Sequence, residues 1–253
     1  MRKYGQHFLI NRGIIEAIVA AVAQEAGSIV EIGPGKGALT ELLIQKKFSH
    51  FTAVEIDPEM KKYLQEHFPV LQGRIVLENF LKFDLNTLPQ VPTFFVSNLP
   101  YIDAAEILDK VLQWPFFDGA VFMFQKEQAQ RILAKVGAEG YGPLSILSQV
   151  RSTPKQYLKV GKACFNPPPK VESMVLTFEK KKWLLERGKE YKDLARLVKA
   201  AFLHRRKTLF NSLALCGYEK EKLENAMAAL LLKPTVRAEE ISVEQFVALS
   251  KIC

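Results

Sequence analysis

Apolar positions along this chain follow two rhythms. Short, nearly unbroken apolar runs alternate with longer stretches in which apolar residues recur every three or four positions. The runs Ser28–Ile32, His50–Ile56, Arg74–Leu77, Thr93–Ser97 and Gly119–Phe124 are bounded by Gly, Pro, Asn or Asp, so they read as buried strands. Between them the helical period takes over. Ile14, Ile15, Ile18, Val19 and Val22 make one apolar face behind a candidate N-cap at Asn11. Further helices are expected over Ala38–Lys46, Ala104–Leu112 and, with a polar face, Gln125–Val136. Lys155–Val160 and Val171–Phe178 add two strands, and the glycine-rich stretch Gly137–Pro143 is expected to be mobile. Such alternation predicts an α/β fold, a mostly parallel sheet with helices on both faces.

The rhythm changes at Lys180-Lys181-Lys182, beyond which only helical periods remain. A boundary there divides the chain into a sheet domain over 1–180 and a small helical domain over 181–253. In the second part Leu194, Leu197, Val198, Ala201 and Phe202 form an apolar stripe, with Lys192, Arg196 and Lys199 on the other side. Glu219–Leu232 and Ser242–Ile252 read as the last helices.

Composition sharpens this picture. With 253 residues, 48% of them hydrophobic, the chain can bury a large core and is not globally disordered. A net charge of +8 favours an anionic partner, nucleic acid before membrane. Part of that excess is concentrated in His204-Arg205-Arg206-Lys207, which suits tracking of phosphates; a solvated basic face is the alternative. The three cysteines, Cys164, Cys216 and Cys253, lie far apart and no Cys or His spacing suits a metal, so no metal is expected. No run reaches the roughly 18 to 20 apolar residues of a membrane span. Met1-Arg2-Lys3 is not followed by a signal-peptide core, so a cytoplasmic, reduced setting is expected.

Candidate chemistry gathers where strands end. Gly33-Pro34-Gly35-Lys36-Gly37 follows the first strand of the sheet, and glycines at a strand-to-helix turn let backbone approach a ligand closely. Glu55 comes about 20 residues later at the end of the next strand, where an acidic side chain bonds ribose hydroxyls. This pair predicts an adenosine-containing cofactor without naming it, since Gly33-x-Gly35-x-x-Ala38 also satisfies a dinucleotide fingerprint. Asn98-Leu99-Pro100-Tyr101 closes the Thr93–Ser97 strand. Pro100 biases Leu99 to extended backbone, Asn98 brings a carboxamide, and Tyr101 offers a face for a flat ring. An adenine amino group is a poor nucleophile because its lone pair is delocalised. Two acceptors, the Asn98 oxygen and the Leu99 carbonyl, could bond its two N–H groups while Tyr101 stacks on the base for attack on a methyl donor. An ordinary Asn-Pro turn is the alternative. Phe165-Asn166-Pro167-Pro168-Pro169 is stiff and extended. Phe165 is expected to be displayed as a second aromatic wall opposite Tyr101; a rigid connector with Phe165 plugging the core is the alternative.

Taken in order, these pieces resemble the ribosomal RNA adenine N6,N6-dimethyltransferase family. The likeness rests on Gly5-Gln6-His7-Phe8-Leu9, Glu31 to Thr40, Val54 to Asp57, Asn98 to Tyr101, Gln125-Lys126-Glu127, Tyr141 to Ser145, Phe165 to Ser173, Arg205 to Leu213 and Arg237 to Ser242. The resemblance implies a Rossmann-like S-adenosylmethionine-dependent methyltransferase sheet with a small C-terminal all-helical domain. It implies S-adenosyl-L-methionine as methyl donor and, as targets, two adjacent adenines near the 3′ end of small-subunit (16S) rRNA, a step of ribosome biogenesis. By position His7, Leu9, Gly33 and Gly35 would line the cofactor site and Glu55 would hold its ribose. Asn98 would touch both cofactor and target amine, Leu99 and Pro100 would shape that turn, and Tyr101 and Phe165 would flank the base. Arg205, Arg206 and Lys207 would contact RNA, with the small ribosomal subunit as partner and a monomer expected. Asn79 stands where the family usually has Asp facing the cofactor's adenine amino group. An amide oxygen still accepts, but the charge-assisted part of that bond is lost, and weaker cofactor binding is expected. The short segment before Gln6 is expected to lack any RNA-binding arm.

Three rivals stay open on the sequence. An Erm-type enzyme acting on large-subunit RNA shares the chemistry, although Arg205 to Leu213 and Arg237 to Ser242 favour the small-subunit type. An RNA-binding assembly factor with little catalysis is kept open by Asn79. A nicotinamide-dependent oxidoreductase explains the glycines and Glu55 and leaves Asn98 to Tyr101 without a role.

Overall fold

The buried apolar runs pair into a seven-stranded sheet. The computed structural model describes residues 7–23, 27–46, 48–182 and 188–252; Gly5, Gln6 and Cys253, singled out above, lie outside them. In chain order the elements are β1 (Phe8–Leu9), α1 (Arg12–Ala20), β2 (Ser28–Ile32), α2 (Thr40–Leu43), β3 (His50–Glu55), α3 (Pro58–His67), β4 (Ile75–Leu77), β5 (Thr93–Asn98), α4 (Ala104–Gln113), β6 (Phe117–Gln125), α5 (Lys126–Leu133) and α6 (Pro143–Gln149). Then follow β7 (Ser152–Val160), β8 (Phe165–Asn166), β9 (Ser173–Lys180), α7 (Lys189–Leu203), α8 (Leu209–Leu215), α9 (Lys220–Ala229) and α10 (Val243–Ile252).

The sheet order is β4-β3-β2-β5-β6-β9-β7, and a separate two-stranded sheet joins β1 to β8. Strands β2 to β6 run parallel; β9 returns antiparallel along β6, from Gln125 opposite Ser173 to Gly119 opposite Glu179. Every residue of β2 is buried, as a strand covered on both faces requires. From β2 the chain builds outward through β3 and β4 on one side and through β5 and β6 on the other. That reversal makes β2 and β5 the switch point, and a crevice opens beyond their carboxyl ends. Parallel register then sets Gly33, Glu55, the residues after Leu77 and Asn98 at one edge of the sheet. The buried Ser97 hydroxyl donates to the Ile32 carbonyl at 2.5 Å, tying β5 to the end of β2.

The chain divides into two compact units, one of residues 1–129 and 153–180, the other of residues 130–152 and 181–253. The later crossing falls at Lys180, where the sequence changes rhythm. The earlier crossing carries residues 130–152, read above with the sheet, into the helical unit. There α6, which the periodicity did not announce, contributes Ile146 to a core with Leu194, Leu197, Val198, Leu213 and Phe246. Gly137–Pro143, expected to be mobile, is tied to the helical unit by burial and hydrogen bonds. Tyr141 is 1% exposed, its hydroxyl donates to the Ile241 carbonyl at 2.8 Å, and the Gly137 amide donates to the Glu239 carbonyl. A second correction concerns Ala38–Lys46, of which only Thr40–Leu43 is α-helix. Its last bonds tighten to i→i+3 at Gln45 and Lys46, and the Lys46 ammonium turns away to the Val19 and Val22 carbonyls at the end of α1.

Candidate active site

Four parallel strand ends meet at the switch point, those of β2, β3, β4 and β5. The first, after β2, holds Gly33 and Gly37 at φ 62° and 80°, left-handed backbone that only glycine adopts cheaply. The two positions differ in purpose. A Cβ on Gly37 would sit 2.5 Å from the Phe68 ring, so that glycine serves packing, whereas a Cβ on Gly33 would meet nothing within 4 Å. Gly33 therefore leaves room for a ligand against bare backbone. Gly35 donates its amide to Glu55 Oε2 at 2.9 Å, and Asp57 donates to Oε1 at 2.9 Å, so the Glu55 carboxylate is oriented by two N–H groups. Burial pushes the Glu55 carboxyl up, and those backbone bonds oppose the shift.

Beneath this turn lies Glu31, a residue to which the sequence pattern assigns no role. It is 2% exposed and accepts from the Thr40 hydroxyl at 2.7 Å. Burial pushes its carboxyl up to about 8, helped by the nearby Glu55 charge. Its signal is a lone carboxylate in the apolar run Ser28–Ile32 just before the glycines. Held neutral and bonded to Thr40, Glu31 braces the strand end beneath the glycine turn and leaves Glu55 as the acid available to a ligand.

The third strand end, after β4, carries Asn79. Its Oδ1 accepts from the Leu81 amide at 2.8 Å, and its backbone carbonyl accepts from Lys82 and Phe83, so the residue closes a tight local turn. The amide oxygen expected to face an adenine is thus partly committed to its own loop.

Asn98 ends β5. Its Nδ2 donates to the His7 carbonyl at 3.1 Å, which orients the carboxamide and leaves Oδ1 with no partner among the described residues. Leu99 is 2% exposed and roots the turn, while Pro100 is exposed. The Tyr101 hydroxyl meets Ser173 Oγ at 2.9 Å; burial raises its pKa and the Ser173 bond lowers it. The Tyr101 ring lies 6.0 Å from that of His7 at 27° between planes, and His7 Nδ1 reaches the Pro167 carbonyl at 2.8 Å. His7 therefore links Asn98, Tyr101 and the proline segment.

Phe165 is a correction. It is 3% exposed rather than displayed, because β8 pairs with β1, Leu9 opposite Phe165, and both side chains join the cluster containing Ile15, Val160 and Val175. Leu9, at 5% exposed, can offer a ligand little beyond its backbone. In the helical unit Arg205, Arg206 and Lys207 are exposed between α7 and α8, and their side chains pair with no described acidic residue. Among the described residues no cluster of His, Cys, Asp or Glu could hold a metal, and no helix is long and apolar enough to cross a membrane.

The donor set fits S-adenosylmethionine: open space at a glycine turn, a carboxylate at the ribose position oriented by two amides, and a carboxamide acceptor at the end of β5. Comparison with known proteins agrees. The family model described as ribosomal RNA adenine dimethylase matches residues 1–253. The chain is 35% identical to ribosomal RNA small subunit methyltransferase A of Malacoplasma penetrans, over 100% of this chain and 90% of that one. It is 36% identical to the protein of the same name from Streptococcus thermophilus, over 98% and 90%. Among solved structures, a dimethyladenosine transferase from Plasmodium falciparum superposes with a TM-score of 0.77 at 24% identity, covering 96% of each chain. The 23S rRNA methyltransferase ErmE superposes with a TM-score of 0.69 at 26% identity, over 96% of this chain and 98% of that one. The nicotinamide reading falls away with this match, and the chain belongs to the ribosomal RNA adenine dimethylase family, the S-adenosylmethionine-dependent methyltransferases of ribosomal RNA adenines.

Proposed function

We propose that this enzyme methylates the N6 amines of two adjacent adenines near the 3′ end of small-subunit rRNA, with Asn98 and Tyr101 holding the target base. The observation that carries the reading is the Asn98 carboxamide, fixed through Nδ2 by the carbonyl of His7, whose ring stacks on Tyr101, while Oδ1 accepts from no described residue. Names of the curated relatives favour the small subunit over the large one. S-adenosylmethionine supplies an electrophilic methyl group when bound.

Everything else is done by the protein. Gly33 and Gly35 give backbone against which the cofactor lies, with His7 and the Leu9 backbone at the same end. Glu55, already oriented by two amides, accepts from its ribose hydroxyls through its remaining lone pairs. Asn79 presents its amide to the adenine of the cofactor. The Asn98 Oδ1 and the Leu99 carbonyl accept the two N–H bonds of the target amine. That pulls the nitrogen toward a tetrahedral geometry and frees its lone pair, while Tyr101 holds the ring for in-line approach. Among the described residues no side chain beside the turn is a strong base, so the displaced proton goes to water. Phe165, buried in the β8 strand that pairs with β1, becomes a second face for the base only if that pair shifts. Arg205, Arg206 and Lys207 take phosphates of the RNA. The enzyme works as a monomer in the cytoplasm, on the small ribosomal subunit.

The test is transfer of labelled methyl from S-adenosylmethionine to small subunits lacking the modification, with large subunits and DNA as controls and the product base identified by mass. Dimethyladenine confined to small-subunit RNA is the expected result. Transfer to large subunits would assign the Erm-type substrate, and no transfer despite subunit binding would leave an assembly factor.

A further inference from the structure

One ammonium group outside the chemistry described so far is placed with unusual economy. Lys110, half-buried on α4, donates to the Phe80 carbonyl at 2.8 Å, the Leu81 carbonyl at 2.9 Å and the Phe83 carbonyl at 2.5 Å. Three acceptors match the three N–H bonds of an ammonium, so its donors are all used within one loop. The group also lies 5.4 Å from the centre of the Phe80 ring. Burial lowers its pKa, and the charges of Asp84 and Glu78 oppose that shift.

The loop it grips is the turn that Asn79 closes. That turn leaves β4 at the sheet edge shared with Glu55, and the Glu78 amide donates to the Glu55 carbonyl at 2.9 Å. The helix bearing Lys110 starts at Ala104, directly after Asn98–Tyr101, and Ala104, Ile107, Leu108, Val111 and Leu112 are buried along its inner face. One rigid helix thus begins at the turn that holds the target base and, two turns later, clamps the turn proposed to face the cofactor. Backbone carbonyls in a loop are otherwise satisfied by water or by backbone N–H groups. A single charged donor to three of them fixes their common direction and with it the Asn79 amide.

We propose that Lys110 is a positioning residue for the cofactor: its ammonium sets the 79–83 turn, and α4 couples that turn to Asn98–Tyr101. The inference rests on the cofactor reading of the site above.

The experiment measures S-adenosylmethionine binding by calorimetry, together with kcat, KM for the cofactor and thermal melting, on the full chain. Lys110→Met is compared with Lys46→Met, which also deprives backbone carbonyls of an ammonium but at the end of α1. Lys110→Met is expected to weaken cofactor binding and raise its KM by roughly tenfold, with kcat within about threefold of wild type. Lys46→Met is expected to lower the melting temperature and leave cofactor affinity unchanged. Lys110→Arg keeps the charge, but its planar fork cannot converge on three carbonyls, so an intermediate affinity is expected, and this variant carries the test if Lys110→Met fails to fold. Unchanged affinity in the Lys110 variants, or an equal loss in Lys46→Met, would overturn the proposal. Failure of the wild-type chain to bind S-adenosylmethionine would instead sink the reading of the site.

Discussion

The crevice at the strand ends and the basic run between α7 and α8 hold their polar groups in opposite ways. In the crevice each group has a job inside the protein before any ligand arrives. Glu55 is held by two amides, Asn98 by the His7 carbonyl, Tyr101 by Ser173 and Glu31 by Thr40. Along the basic run, Arg205, Arg206 and Lys207 are exposed and pair with no described acid. Preorganised, half-buried groups discriminate by geometry and barely feel salt. Exposed cations discriminate little, act at a distance and are screened within about 8 Å at physiological ionic strength. On the proposed reading, recognition of one atom and capture of a large polyanion would fall to different units of the same chain.

Breaking the first side of this contrast has the largest effect. Asn98→Ala removes the oriented acceptor and should lower kcat by on the order of 10²- to 10³-fold while cofactor affinity changes only a few-fold. Near-normal turnover by this variant would remove the central claim about the turn. The second side breaks more softly. Replacing Arg205, Arg206 and Lys207 together by Ala should weaken RNA binding and reduce the slope of log affinity against log salt by about 2 to 3, with cofactor affinity and melting temperature unchanged. An unaltered salt slope would mean that these cations are merely solvated.

The third prediction leaves turnover aside and sharpens the electrostatics of the crevice. Glu31 has its carboxyl raised from 4.5 to about 8 in the folded protein. Between those values the unfolded chain releases the proton and the folded chain keeps it, so stability is full below pH 4.5 and falls as pH rises toward 8. The slope is on the order of 1 kcal/mol per pH unit. Glu31→Gln keeps an acceptor for Thr40 and removes the titration. Its unfolding free energy should match wild type near pH 4.5 and exceed it at pH 8, which denaturant titration at the two pH values checks. Equal stability at both would show that Glu31 is ionised in the fold.

What is legible in the sequence follows from locality. Ser28–Ile32 and Thr93–Ser97 announce themselves because a strand buried on both faces must be mostly apolar, with Glu31 and Ser97 bonded internally, and a parallel sheet must place its site at their carboxyl ends. Gly33, Glu55 and Asn98 therefore stand out from the chain's own pattern. Phe165 does not, because its burial depends on pairing with Leu9, far away along the chain. Lys110 carries no local signal either, since its partners are carbonyls of a distant turn. The helical unit is only half visible: the composition shift at Lys180–Lys182 marks the chain's second entry into it, and nothing apolar or polar marks the first, within α5.

The His7 carbonyl that steadies Asn98 belongs to the segment leading into β1, and β1 is pinned by β8. The carboxamide is therefore oriented by residues from both extremes of the sheet unit, joined by contacts that close long loops and form late. During synthesis, a nascent chain whose first five parallel strands have already emerged still lacks the partner of β1. Methyl-transfer competence should arrive in a single step, once the segment from Phe165 through Ser173, the partner of Tyr101, has left the exit tunnel, rather than grow with length. An enzyme assembled in that order cannot act from a truncated chain, which is a safeguard for a catalyst born on the same kind of particle it modifies.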